Sequence, residues 1–192
     1  MTNYNPLKEY ALQALKDKGY KIDTAWDAVD IFERKIAEFA GSKFAVAVDN
    51  CTDAIFLCLK YLKCDHEKEV IAIPKNTYVS IPMVINNAGC KFRFEDRPWT
   101  GLYQLKPYPI YDSAVRFTEG MYIQDSFQCL SFHRKKILKM TKGGMILTND
   151  EDAANWFKVA RAKGRHPHQD ILYKNETFDQ MGWNMYMPPE HA

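Results

Sequence analysis

The sequence predicts an α/β fold: an open, mostly parallel sheet flanked by helices. Three observations predict it. Short apolar runs recur along the chain, 44–48 being the clearest, and such runs have the composition of strands buried on both faces of a parallel sheet. Between them lie stretches whose apolar residues return every three or four positions, the period of a helix with one buried face. The joints between the two kinds are short, so strand and helix alternate as they do when helices cover both faces of a sheet.

Taken in order, Leu7, Ala11, Leu12 and Leu15 sit at helical spacing over 7–18, and Trp26, Val29, Phe32, Ile36 and Phe39 define a second helix over about 24–40. Asp23 or Thr24 is read as its N-cap and Gly41 as its stop. The strand 44–48 runs at once into DNCTDA and the helical run 54–62. A strand at 70–73, a helix over about 78–88 ended by Gly89, and a strand at 91–94 follow. The stretch 96–112, with Pro98, Pro107 and Pro109 among aromatics, reads as loop with one strand. Three short apolar runs come next, at 110–111, 121–123 and 129–132, then a turn at Gly143 and Gly144 and a strand at 145–148. In TNDEDAANWFKVARAKG, Thr148 or Asn149 caps a helix with acids in its first turn and bases in its last, and Gly164 ends it. The tail after 165 has no period.

The 192 residues fit one sizeable domain, with 46% apolar and 26% charged residues, close to ordinary globular composition. Lys plus Arg number 26 against 24 Asp plus Glu, a balance too even for a dedicated nucleic-acid binder. No apolar run reaches membrane-spanning length and no signal-peptide core is present. The five cysteines, Cys51, Cys58, Cys64, Cys90 and Cys129, have no paired spacing, so neither a disulfide framework nor a zinc site is expected, and a reducing, cytoplasmic setting is. Histidines 66, 133, 166, 168 and 191 have no metal-ligand spacing, so no metal is expected.

Several residues carry chemistry. The DNCTD turn opens a helix, whose first N–H groups lack partners and whose dipole favours an anion; Thr52 adds a hydroxyl, while Asp53 is more simply a first-turn acid. Asp112 ends an apolar run at a sheet edge, either as a loop cap or as the partner of a cationic ring nitrogen. SFHRKKILKMTKGG carries lysines of which only one held in an apolar cleft becomes nucleophilic. Tyr78 faces the same edge as the DNCTD turn, as core aromatic or ligand wall.

The order of the pieces KFAVAVDNCTDAIFLCL, VIAIPKNTYVSIPMVINNAGCKFRFED, PIYDSA, CLSFHRKKILKMTKGGMILTNDEDAANWFKVARAKGR and MGWNMYMPPEHA resembles the DegT/DnrJ/EryC1/StrS sugar aminotransferases. The resemblance implies the large domain of a pyridoxal-5′-phosphate enzyme of the aspartate-aminotransferase fold type I, truncated before the small domain. Residue by residue it implies Lys136 as the lysine that anchors the cofactor, Asp112 as the partner of the ring nitrogen and Tyr78 as the stacking aromatic. Cys51 and Thr52 stand in the phosphate-binding turn, Ser131 adds a phosphate-reaching hydroxyl, and Asn184 reaches the neighbouring subunit's cofactor phosphate. Substrates implied are an amino-acid donor such as glutamate and a nucleotide-linked keto sugar of polysaccharide or lipopolysaccharide synthesis.

On this reading the chain divides into an N-terminal helical segment 1–25, a cofactor-binding α/β domain 26–165 and an irregular tail 166–192 leading towards an absent C-terminal domain. It departs from the family at Cys51, where glycine is usual and a positive φ is expected, and at Val115 and Tyr186, which replace a glutamine and an arginine. Only 15 residues separate FED from Asp112, too few for the usual further strand and helix. The chain is expected to act as a homodimer or beside a separate C-terminal half, because Trp183, Met185, Tyr186 and Met187 read as an uncovered apolar cluster. The alternative is a catalytically reduced homologue serving as a binding, regulatory or scaffold subunit.

Overall fold

The structure is a computed structural model and describes residues 6–64, 69–166 and 178–192; His66 and His168 lie outside these residues. Among the described residues there are five α-helices, α1 (Pro6–Asp17), α2 (Trp26–Ala40), α3 (Cys51–Tyr61), α4 (Ser80–Asn87) and α5 (Glu151–Ala160), and strand and helix alternate from α2 to β3. The strands are β1 (Phe44–Val48), β2 (Val70–Pro74), β3 (Lys91–Glu95), β4 (Tyr103–Gln104), β5 (Ile110–Asp112), β6 (Phe127–Ser131) and β7 (Gly144–Thr148).

The strand order is β1-β7-β6-β5-β4, with β2 and β3 paired beside it. Backbone hydrogen bonds between Ala72 and Lys106, 2.8 and 3.2 Å, join the two pieces through the chain just after β4. Five strands, β1, β2, β3, β5 and β6, run one way, while β7 and β4 run against them. The pairings are therefore mixed. β7 is reversed because it returns from β6 without a crossover helix, which antiparallel neighbours permit. The stretch expected to be loop with one strand holds two short strands, and 121–123 is not a strand.

Along β1, alternate residues enter opposite layers, as a period of two requires. Val46 and Val48 pack with α3, α4 and α5 side chains such as Ile55, Ile85 and Phe157. Ala45 and Ala47 pack under α2 with Val29, Ile36 and Phe132. Helix ends depart from the expected caps in detail. Asp27 caps backwards, accepting from the N–H groups of Asp23 and Thr24 at 2.7 and 2.6 Å, and Asp150 rather than Thr148 or Asn149 caps α5 through the Ala153 N–H. Gly41 does terminate α2, at φ 80°.

β1 ends the five-stranded sheet; on its free side Val48 bridges Tyr186 of the tail, and the backbone groups of Ala47 are covered by side chains. The Ala47 N–H donates to Glu33 Oε1 at 2.8 Å, and Arg161 Nη1 donates to the Ala47 carbonyl at 2.5 Å and to the same Glu33 oxygen. Both side chains are buried. Removing Glu33 costs about 3–5 kcal/mol, because the buried Arg161 charge loses its carboxylate; removing Arg161 leaves Glu33 with Lys158 at 3.7 Å.

The tail is not the uncovered cluster expected from the sequence. The Asp49 N–H donates to the Met185 carbonyl at 2.9 Å, and the Met185 N–H to the Arg161 carbonyl at 2.9 Å, so residues 183–186 lie against the ends of β1 and α5. Trp183 meets Phe56 edge-to-face at 5.2 Å, Tyr186 meets Trp26 at 5.3 Å, and Met187 is buried under α2. The chain's own α2, α3 and α5 supply the cover that sequence reasoning did not locate. Cys64 and Cys90 form a disulfide across 6.3 Å between Cα atoms, against the expectation of none: packing of α3 beside α4 brings together residues 26 apart in sequence. Cys51, Cys58 and Cys129 are free and buried.

Candidate active site

The candidate residues gather where β1, β5 and β6 end, the edge at which open α/β sheets hold ligands. At the first of these ends the chain turns from β1 into α3. Asn50, overlooked in the sequence, is the N-cap: its Oδ1 accepts from the Asp53 N–H at 2.9 Å and its Nδ2 donates to Asp53 Oδ2 at 2.8 Å. The Ala54 N–H returns to the Asn50 carbonyl at 3.1 Å. The amides of Cys51 and Thr52 come before any intrahelical partner and form the anion-favouring tip.

Cys51 begins α3 and is absent from the residues with positive φ, so the strain expected from replacing glycine there does not arise. The tight requirement for glycine falls instead on Gly144. A Cβ at Gly144 would stand 2.3 Å from the Asn50 carbonyl carbon and 2.6 Å from the Cys51 nitrogen. β7 can pass under the helix tip only without a side chain at this point. Gly144→Ala is expected to lower stability by about 3 kcal/mol and to weaken anion binding at the tip, as measured by denaturant unfolding and by phosphate titration; a variant as stable as the parent would show that the turn moves freely.

Asp112 ends β5 and is buried. Its Oδ2 accepts from the Tyr103 hydroxyl at 2.7 Å and its Oδ1 from the Ala114 N–H at 2.9 Å. The Cys51 thiol lies 3.9 Å from Oδ1 and 3.6 Å from the Cys129 carbonyl. Burial raises the carboxyl above its ordinary range, while Tyr103, the Ala114 amide, the Lys136 charge and Cys51 pull it back towards ionisation. Burial, followed by the nearby Asp112 charge, pushes the Cys51 thiol well up, so it is held as a thiol rather than a nucleophile.

Ser131 ends β6 opposite Gly144, one strand from the α3 tip. The chain then makes a closed excursion: the Phe132 N–H donates to the Gly143 carbonyl, and the Met140 N–H to the Phe132 carbonyl, at 2.9 and 2.8 Å. Within it Lys136 is half-buried and its charge is felt at both Asp112 and Cys51, whereas Lys135 is exposed. Tyr78 does not begin the helix as expected but precedes α4, 74% exposed, in the loop that also carries Thr77. Thr52 donates to Ser80 Oγ at 2.9 Å, joining the tips of α3 and α4.

The structure therefore brings Cys51, Thr52, Asp112, Ser131 and Lys136 to one edge, with Tyr78 beside them. Asn184 is not brought into this group; it is exposed on the tail and bridges Ala162. Tyr186, in place of arginine, is committed to Trp26, and Val115 is exposed. Among the described residues no cluster has metal-ligating character and no helix is long and apolar enough to cross a membrane. Sequence reasoning missed Tyr103, Thr77, Ser80 and Cys129. Only Asn50 had a usable signal, an Asn three positions before a helical acid.

The donor set fits a phosphorylated pyridine aldehyde: amides and hydroxyls at the anion end, a buried carboxylate for a ring nitrogen, an aromatic wall and a neighbouring lysine. The sequence pattern of the DegT/DnrJ/EryC1/StrS aminotransferase family matches residues 8–101 and 122–192, and the chain belongs to that family. It is 23% identical over 209 aligned positions to GDP-perosamine synthase of Caulobacter vibrioides, covering 84% of this chain and 54% of that protein. To dTDP-3-amino-3,6-dideoxy-alpha-D-galactopyranose transaminase of Aneurinibacillus thermoaerophilus it is 25% identical over 80% of this chain and 54% of that protein. The solved structure of NtdA from Bacillus subtilis with bound cofactor PMP superposes with a TM-score of 0.71 at 16% identity, covering 96% of this chain and 50% of that one. The chain thus spans about half the length of the curated relatives it matches.

Proposed function

We propose that this chain is the cofactor-binding part of a pyridoxal-5′-phosphate-dependent aminotransferase that moves an amino group from an amino acid such as glutamate to a nucleotide-linked keto sugar. The observation that carries the reading is Asp112: a carboxyl buried at the strand ends, which burial raises above its ordinary range and which the Tyr103 phenol, the Ala114 amide and the charge of Lys136 draw back towards ionisation.

When bound, pyridoxal phosphate supplies an electron sink for the carbon that gains or loses the amino group. The chain's residues do the rest. The α3 tip amides, Thr52 and Ser131 would hold the phosphate, Tyr78 would stand beside the ring, and Asp112 would accept a hydrogen bond from its nitrogen. Lys136 would anchor the cofactor and would serve at its Nζ as the general base that takes and returns a proton. Asn184, exposed on the packed tail, would be offered to a second subunit of a homodimer. The domain division at 25 and 165 belongs to the same reading, and so does a cytoplasmic location, which rests on the proposed reaction and no longer on the cysteines, since Cys64 and Cys90 are bridged. Val115 and Tyr186, which lack the family's polar groups, favour the second reading of a catalytically reduced binding or scaffold subunit.

One experiment separates the two. Pyridoxal phosphate is added to the purified protein and a visible absorbance band is followed, then glutamate is supplied. A band that bleaches with stoichiometric 2-oxoglutarate supports the aminotransferase; a band that glutamate leaves untouched supports a reduced homologue that keeps the cofactor; no band at saturating cofactor overturns the aminotransferase and leaves a scaffold subunit without cofactor.

A further inference from the structure

Asp112 is faced by four groups: Cys51 from α3, Cys129 from β6, Lys136 from the loop after β6, and Tyr103 from β4. Tyr103 has no counterpart in the family reading. It and Asp112 both lie between the two stretches that the family pattern matches, 8–101 and 122–192. Antiparallel pairing sets Tyr103 directly opposite Asp112, where side chains of the two strands share a face. Its ring is buried and packed edge-on against Trp99 at 4.8 Å, while the Trp99 indole N–H is tied to the Asn76 carbonyl at 3.2 Å. Its hydroxyl is in short contact with Thr77 Oγ1 and donates to Asp112 Oδ2 at 2.7 Å. Thr77 adjoins Tyr78, so one hydroxyl pair links the stacking residue's loop to the carboxylate.

We infer that Tyr103 is a positioning residue, which through its hydroxyl fixes the Asp112 carboxylate in the orientation and charge state that a cofactor ring nitrogen requires. The inference rests on the pyridoxal-phosphate reading. A phenol serves here because it donates one directed hydrogen bond to an ionised acceptor and adds no charge of its own; its own ionisation is pushed far up by burial and by Asp112. The short β4 does the work of placing this donor. With the Ala114 amide holding Oδ1, both carboxylate oxygens are engaged and rotation of the group is restricted.

The test is Tyr103→Phe, which keeps the ring against Trp99 and removes only the oxygen. In the cofactor-free protein, carbon-13 titration of the Asp112 carboxyl is expected to move to higher pH, since a group favouring the ionised form has been lost. Cofactor affinity is expected to fall roughly tenfold at neutral pH and more steeply on the acid side. The same substitution in an Asp112→Asn background is expected to add no further loss, because the two act as one unit. Thr77→Val, which frees the hydroxyl to turn, is expected to move both readings the same way to a smaller extent. A loss equal at every pH, or one fully additive with Asp112→Asn, would mean that Tyr103 only packs, and overturns the inference. If the carboxyl titration moves while the parent protein binds no pyridoxal phosphate, the cofactor reading fails and the Tyr103–Asp112 link stands.

Discussion

On the proposed function, Lys136→Ala is expected to abolish covalent capture of pyridoxal phosphate and to lower amino transfer by about 10³-fold or more, since it would remove the proposed anchor and general base together. The placement argues for this lysine among its neighbours. The excursion 132–143 is pinned at both ends by backbone hydrogen bonds, and within it Lys136 is the half-buried lysine whose charge reaches Asp112 and Cys51. Lys135 points its exposed side chain away and its backbone to His133. Borohydride reduction of the loaded protein followed by peptide mass mapping is expected to find the pyridoxyl group on Lys136, and Lys135→Ala to leave both capture and transfer unchanged. A label on Lys135, or none at saturating cofactor, would falsify the assignment.

Part of the candidate site was legible from apolar runs, since the DNCTD turn follows the 44–48 run and Asp112 follows 110–111, both at strand ends. Ser131, Lys136 and Asn184 were singled out through the family resemblance and not by any period of their own. What escaped was whatever depends on register between distant segments. Tyr103 sits among prolines and aromatics without a period, and only its antiparallel pairing with Asp112 gives it a role. Gly144 reads as a turn residue, yet it is needed for the approach of β7 to the Asn50–Cys51 peptide. Arg161 reads as a last-turn base of α5; that it covers the backbone edge of β1 with Glu33, 128 positions away, is a tertiary fact. The tail failed for the same reason. Its apolar residues were recognised, but their cover lies on α2 and α3, whose free faces a linear reading cannot assign.

Asp112→Asn is expected to separate stability from chemistry. Burial raises the carboxyl in the folded protein, so the folded form favours the neutral group. The stability conferred by that neutral form is fully present below the unfolded value and is lost as pH rises through the raised folded value. The amide carries no charge to desolvate. Cofactor-free Asp112→Asn is therefore expected to melt at or above the parent's midpoint at neutral pH, with the difference closing as the solution is acidified and the parent's carboxyl protonates. Chemistry is expected to move the other way. A neutral amide cannot keep a ring nitrogen protonated, so the bound cofactor loses its capacity as an electron sink, and transfer is expected to fall by about 10²–10³-fold, the range for removing one preorganised electrostatic partner. Melting across a pH series, cofactor titration and turnover on the same preparation decide the matter. Unchanged affinity and turnover would reduce Asp112 to a loop cap that holds the Ala114 amide, and the buried carboxylate would then serve only the turn after β5.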